Sequence, residues 1–502
     1  MLKTILYLSH RWLGIGMSLL VAMWFATGMV MMYVGFPYLT QQERYAGLPI
    51  LEPERIKVSP LALLAKGPDS AFIEHLLLTS AGQRPVYLLK REAEPWRGLY
   101  ADTGELLQGV TGEAAVATAL QFFQLVKPEQ VLGRVHQESV EIDQWTVPNR
   151  FSVHRPLHKV SINDLAGTEL YVSSKTGQVV QDTTRKERIW NWVGANLHWI
   201  YPFQLRKHLD IWVQVIIALS LLGLFTVLTG AIIGFQRLCL RRSNPGESIS
   251  PYRRGVIKYH HLGGLFALVF LTTFLFSGLM SMGPWGIFDS HVSLTEQLKR
   301  YQLGKDLQRS EINYAQVAEI QLLLKEDENV ATREIVWRWL GGESYVTLHQ
   351  SEKHQGYQLA STEQQSLEQK INQNIKHLIP GEKILSQERL EDYDRYYYSH
   401  HERLRPLPIL RVKFLDKYTS WFYIDPSTGE VKRRMDSKAR LGRWLFNGLH
   451  SMDFAVLINN RPVWDLLILS LCSAGLLFSV TSLVLAWRHL GKFIRASMSS
   501  RN

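Results

Sequence analysis

Cysteine is almost missing from this chain: 502 residues hold two, Cys239 and Cys472. An iron–sulfur cluster takes about four thiolates and covalent c-type haem takes Cys-x-x-Cys-His, so both are excluded. The long segments Tyr38 to Arg188 and Asp289 to Arg440 have no cysteine at all. No disulfide braces them, and at about 150 residues each they are large enough to be stable through packing. A Gly-x-Gly-x-x-Gly dinucleotide fingerprint is also absent, which removes the usual signature of a built-in nicotinamide or flavin fold. Charge is missing from four stretches: Leu13 to Val34, Ile211 to Phe235, Leu262 to Phe288 and Leu466 to Trp487.

Each uncharged stretch exceeds the about 20 residues that cross a hydrocarbon core of about 30 Å, so four transmembrane helices are expected in a lipid bilayer. The first is read as a retained helix. It is longer than a signal core, and no small-x-small site precedes Gly35-Phe36-Pro37. The connection from Arg237 to Lys258 carries Arg237, Arg241, Arg242, Arg253, Arg254 and Lys258 against the single acid Glu247, and the tail carries Arg488, Lys492, Arg495 and Arg501. Positive loops stay in the cytoplasm, so both termini are expected inside and the two long segments outside. In a bacterium this is a multi-pass inner-membrane protein with periplasmic domains. The net charge of +11 reflects these loops. It is spread over the chain, and no nucleic-acid module accompanies it.

What the sequence does have is a duplication. His10-Arg11-Trp12-Leu13-Gly14, reaching Thr27-Gly28, matches His260-His261-Leu262-Gly263-Gly264, reaching Ser277-Gly278, at an offset of 250. Asn196-Leu197-His198 matches Gly448-Leu449-His450, and Lys175-Thr176-Gly177 matches Ser427-Thr428-Gly429, at an offset of 252. A repeat this long is a duplicated structural unit. The expected layout is transmembrane helix 1 at 1–37, outer domain 1 at 38–188, a His segment with helix 2 at 189–236 and a cytoplasmic loop at 237–259. Helix 3 follows at 260–288, outer domain 2 at 289–440, a His segment with helix 4 at 441–490 and a tail at 491–502. The outer domains read as α+β modules. Strands over Val86 to Leu89, Gly98 to Tyr100, Leu170 to Val172 and Trp421 to Ile424 approach Thr-Gly turns at 103–104, 176–177 and 428–429. Helices are expected over Glu113 to Phe123 and Tyr314 to Lys325.

The two His-x-x-x-Gly helices, the Leu-His segments before helices 2 and 4, and Tyr423-Ile424-Asp425-Pro426-Ser427-Thr428-Gly429-Glu430 together resemble the PepSY-associated transmembrane family. Asp394-Arg395-Tyr396-Tyr397-Tyr398 followed by Arg405-Pro406-Leu407-Pro408 is also similar to that family's outer-domain pattern. The first half departs from it, with Asp143-Gln144-Trp145 and Arg155-Pro156-Leu157-His158 in the matching places. The resemblance covers nearly the whole chain and implies two PepSY-like domains. Within the family, the chain is similar to inner-membrane haem proteins that reduce ferric siderophores.

The residues make their own case for haem. On a 3.6-residue helix, position i+18 is five turns on, so His10 and Gly28 share a face with Gly14, as do His260, Gly278 and Gly264. A planar macrocycle between helices needs an imidazole and a neighbouring position without a side chain. Gly28 and Gly278 leave a second gap about 27 Å along the axis. His198 and His450 are its expected ligands, folded back at Pro202 and Pro462 and held by Trp190, Trp192, Trp199, Trp444 and Phe446 at the interface. The expectation is two non-covalent b-type haems, an inner one on His10 and His260 and an outer one on His198 and His450. The choice between His260 and His261 is open. His208, His291 and His489 have no duplicated counterpart. Tyr396, Tyr397, Tyr398, His400, His401 and Glu402 form a cluster suited to contact with an iron complex.

Stacked haems make an electron path, and the expected activity is reduction of a ferric siderophore from Fe(III) to Fe(II) at the outer face, with electrons from a quinol or another reductase. Two other classes are compatible with the layout. A permease with two rocking halves calls for broken or charged helices at mid-membrane, whereas the interior polar residues are few, such as Gln214 and Thr272. A membrane-anchored binding or regulatory protein gives no reason for histidines at both ends of the helices.

Overall fold

The computed structural model describes residues 1–66, 72–130, 133–238, 249–290, 292–304, 312, 315–326, 331–350, 357–358, 366–399 and 404–499. The chain divides into two compact units, one of Met1–Phe36, Ile189–Asp289 and Lys438–Asn502, the other of Pro37–Arg188 and Ser290–Ser437.

Among the described residues, the first unit has four helices long and apolar enough to cross a membrane: Leu2–Met31, Leu209–Gln236, Val256–Ser281 and Val463–Ser499. They suit a multi-pass membrane protein. Their ends differ from the uncharged runs because a helix continues until its backbone is broken, whatever the side chains carry. The first helix therefore starts at Leu2 and takes in Lys3, His10 and Arg11. The third stops at Ser281, short of Phe288, because Gly283 adopts a left-handed φ of 53° and Pro284 follows. The fourth runs on to Ser499, so the segment read as a tail continues the helix. The first helix packs on the second and fourth, and the third packs on the same two. Phe25, Phe270, Leu271, Ile468 and Cys472 are buried in the core between them.

Among the described residues, the second unit holds three antiparallel sheets. Strands β1 (Ile73–Ala81), β2 (Arg84–Arg91), β3 (Arg97–Tyr100) and β4 (Leu106–Leu107) come from the first half of the chain. So do β5 (His136–Val140), β6 (Leu157–Ser161), β7 (Glu169–Ser173) and β8 (Val179–Thr183). The second half supplies β9 (Glu334–Leu340), β10 (Glu343–His349) and β11 (Tyr357–Gln358). It also supplies β12 (Ile384–Leu390), β13 (Ile409–Phe414), β14 (Trp421–Ile424) and β15 (Val431–Met435). Two sheets are four-stranded meanders, β5 to β8 and β12 to β15. The third has the order β11-β10-β9-β1-β2-β3-β4, and β1 pairs with β9 through Leu76 with Trp337, Leu77 with Val336 and Leu78 with Ile335. The segments 38–188 and 289–440, read from sequence as two domains, thus share one seven-stranded sheet. Alternating apolar residues on β1, β2, β9 and β10 (Leu76, Leu78, Tyr87, Leu89, Ile335, Trp337, Val346, Leu348) fill one face of it.

The duplicated Thr-Gly turns pack onto that shared sheet. Tyr345 Oη donates to the Thr428 carbonyl at 2.7 Å, and Gln178 Nε2 donates to Thr79 Oγ1 at 3.2 Å. The helix expected over Glu113 to Phe123 spans Gly112–Val126, capped by the Thr111 hydroxyl, and the one expected from Tyr314 spans Val317–Glu326. Arg44 and Glu334 form an ion pair whose carboxylate side chain is 4% exposed.

Candidate functional site

Two facing pairs of histidines occupy the helical unit. In the first pair, His10 on the first helix and His260 on the third have ring centroids 6.3 Å apart and planes inclined at 41°. His10 Nδ1 lies 3.1 Å from the Thr226 carbonyl and 3.3 Å from Thr229 Oγ1, both on the second helix. His260 Nδ1 lies 3.3 Å from Thr481 Oγ1 and 3.3 Å from Ser482 Oγ on the fourth, and its ring stacks on Phe478 at 5.1 Å. Thr229 and Thr481 stand 252 residues apart, so the duplication extends to the partners of the histidines.

In the second pair, His198 and His450 have ring centroids 6.1 Å apart and planes at 75°. Each follows a π-helical turn, Trp192–Asn196 and Trp444–Gly448. Such wide turns recur at functional sites because they rotate the next side chain out of the regular register. His198 Nδ1 lies 3.0 Å from Thr27 Oγ1, and His450 Nδ1 lies 3.0 Å from Ser277 Oγ. Gly28 and Gly278 lie beside the two rings, where an added Cβ would be in ordinary van der Waals contact. A Cβ on Gly28 would stand 3.5 Å from His198 Cε1, and one on Gly278 would stand 3.7 Å from His450 Cε1.

Sequence reasoning assigned the fold-back to Pro202 and Pro462, and the structure adds the residues that close it. Ile200 and Met452 adopt left-handed φ values of 51° and 49°. Trp212 Nε1 donates to the Trp199 and Ile200 carbonyls, both at 3.0 Å, and Trp464 Nε1 donates to the Ser451 carbonyl at 2.8 Å. Trp212 and Trp464 are themselves 252 residues apart, a correspondence that an alignment of the two halves could have found.

These distances suit a metal held between two imidazoles. Two imidazoles that each placed a nitrogen about 2 Å from a shared metal would have ring centroids about 6 Å apart. A pair fills only two coordination positions, so the remaining ligands come with the metal, as they do in a porphyrin. All four Nδ1 atoms are taken by hydrogen bonds, so these rings could hold a metal only through Nε2.

The other candidates sort clearly. His260, not His261, faces His10. Both nitrogens of buried His261 are engaged, Nδ1 with Ser250 Oγ at 2.9 Å and Nε2 with the Gly234 carbonyl at 2.9 Å. A Cβ on Gly264 would meet the Phe478 ring at 3.2 Å, and one on Gly14 would meet nothing within 4 Å. Gly230, missed from sequence, lies against His10, where a Cβ would approach Cε1 to 2.6 Å. His208 is the N-cap residue of the second helix, and His489 meets the edge of Trp12. Cys239, His291, His400, His401 and Glu402 lie outside the described residues.

Among the described members of the tyrosine cluster, Tyr397 belongs to the packed interior. Tyr397 is fully buried, donates to the Pro406 carbonyl at 3.0 Å and stacks on Tyr423 at 5.0 Å. Tyr396 stands edge-on to Trp421 at 5.2 Å, and Tyr398 is half-buried. Asp394 accepts from the Tyr396 and Tyr397 amides and from Tyr423 Oη. Asp143 does the same with the Trp145 and Thr146 amides and Tyr171 Oη, so the divergent first half keeps the same turn.

No family model matches the chain, and no curated protein matches it.

Proposed function

We propose that this chain is a membrane electron-transfer protein that binds two b-type haems non-covalently and reduces a ferric siderophore to release its iron. The observation that carries the reading is the pair of imidazole couples, with ring centroids 6.3 and 6.1 Å apart and every Nδ1 hydrogen-bonded. Bound there, haem supplies reversible one-electron chemistry.

The chain itself supplies placement. Thr27, which touches His198, is 17 residues beyond His10 on one helix, about 26 Å at 1.5 Å per residue. Two sites so separated suit uptake of electrons at one membrane face and delivery at the other. Buried Phe25 and Phe270 with partly buried Phe274 fill the core of the four helices and keep water out. In the substrate, one electron converts Fe(III) to the softer Fe(II), which hard oxygen chelators hold less tightly. The basic connection at 237–258 supports a cytoplasmic position for it, hence periplasmic domains and a bacterial inner membrane. The PepSY-like strings in the outer segments support the same assignment. The electron donor is then a quinol or a separate reductase.

The purified chain is expected to show a strong Soret band, two haems per chain by pyridine haemochrome after acid-acetone extraction, and two components in a redox titration. Dithionite-reduced protein is expected to be reoxidised by a ferric hydroxamate, with Fe(II) caught by ferrozine. Protein without haem overturns the reading; haem-loaded protein that yields no Fe(II) from any ferric siderophore overturns the substrate.

A further inference from the structure

We infer that Thr27, Thr229, Ser277 and Thr481 are positioning residues that fix the tautomer and the ring plane of the four ligand histidines, an inference that rests on the haem reading above. A hydroxyl has one hydrogen to give. Each of these four gives it to a backbone carbonyl on its own helix. Thr27 Oγ1 donates to Met23 O at 2.7 Å and Ser277 Oγ to Phe274 O at 3.1 Å. Thr229 Oγ1 donates to Phe225 O at 2.9 Å and Thr481 Oγ1 to Phe478 O at 2.6 Å. With that hydrogen committed, the contact between hydroxyl and imidazole has the ring as donor. His10 reaches the same result independently, since its Nδ1 also lies 3.1 Å from the Thr226 carbonyl, which only accepts. Nδ1 therefore carries the hydrogen in His10, His198 and His450, and Thr481 directs the same tautomer in His260, whose Nδ1 also lies 3.3 Å from Ser482 Oγ, so that Nε2 keeps the lone pair that a metal requires.

The roles alternate along the helices. The first helix supplies a ligand at His10 and an orienting hydroxyl at Thr27; the third repeats this at His260 and Ser277. The second and fourth supply Thr229 and Thr481 to the rings of the first and third. An Nδ1–H donor points in the plane of its ring, so each acceptor also sets that plane. The result is 41° between the rings of the first pair and 75° between those of the second. With a haem at each, the two sites would differ in the relative orientation of the rings that hold it.

The test uses the purified holoprotein with Thr27→Val, which keeps the shape and loses the hydroxyl, and Thr27→Ser, which keeps the hydroxyl. Loss of an orienting acceptor costs about 10- to 100-fold in metal affinity and lowers ligand basicity. In Thr27→Val, one redox component shifts to more positive potential, its low-spin EPR signal moves and its haem is lost more readily on dilution. The other component stays as in wild type, and Thr27→Ser restores the first. Ser277→Ala, which removes the hydroxyl 3.0 Å from His450 Nδ1, makes the parallel shift in the same component and serves if Thr27→Val does not accumulate. Haem-loaded Thr27→Val or Ser277→Ala protein with unchanged potentials and EPR signals, or a Thr27→Ser variant that fails to rescue, overturns the inference. Wild-type protein without haem overturns the underlying reading instead.

Discussion

Gly230 offers a direct test of the first pair, because the second helix crosses His10 at the position where a side chain cannot be accommodated. A Cβ built there stands 2.6 Å from His10 Cε1, 3.2 Å from Nδ1 and 3.4 Å from Nε2. Carbon atoms rest at about 3.5–4.0 Å, so Gly230→Ala requires the imidazole to retreat by about 1 Å. The ring is tethered to the Thr226 carbonyl and the Thr229 hydroxyl on the same helix, and retreat breaks those hydrogen bonds. Overpacking of this kind costs about 1–3 kcal/mol, roughly 5- to 150-fold in occupancy of a site that depends on the ring. Haem content and a potentiometric titration read the result. Gly230→Ala is expected to lose or weaken one of two components and leave the other unchanged. Gly16→Ala is the control, since a Cβ at Gly16 meets nothing within 4 Å. A Gly230→Ala protein with two components at wild-type potentials would refute the argument that this glycine makes room for a ligand.

Three further outcomes are expected. His10→Ala and His450→Ala remove different redox components, because their rings belong to different pairs; loss of the same component from both would break the pairing. Arg44→Met strands the Glu334 carboxylate. Since Arg44 is 25% exposed, the cost falls at the lower end of the about 3–5 kcal/mol for breaking a buried pair, seen as a lower melting temperature at neutral pH. Burial raises the Glu334 carboxyl, but the charge and hydrogen bonds of Arg44 outweigh it and hold it below its ordinary value. The ion pair's stabilisation is therefore present at neutral pH and lost in acid, so the melting gap narrows as pH falls. Burial, followed by the neighbouring charges of Glu43 and Glu187, pushes Asp182 up to about 7. A raised carboxyl favours the folded state at low pH and ceases to as pH rises through about 7, so Asp182→Asn gains more in melting temperature at pH 8 than at pH 5; equal gains at both would discount the shift.

What the sequence determined by itself is whatever depends on neighbours along the chain. Four uncharged runs specify four apolar helices, since length and composition suffice for that, and the repeat offsets pick out His10, His198, His260 and His450 because a duplication preserves spacing. The strands leading to Thr-Gly turns were legible for the same reason, as period and turn chemistry are local. Tertiary structure decided what depends on residues far apart in the chain. Sequence could not choose between His260 and His261, which lie 100° apart around a helix; the choice is made by Phe478 and Thr481 on one side and Ser250 and Gly234 on the other. Gly230 looks like any small residue in an apolar run until its helix crosses His10. Tyr397 reads as part of a polar surface cluster, yet its hydroxyl is spent on Pro406 and its ring on Tyr423. The shared sheet was hidden most completely. The pairing of β1 with β9 joins residues about 260 apart, and a strand's alternation says which face is apolar without saying which strand it will meet.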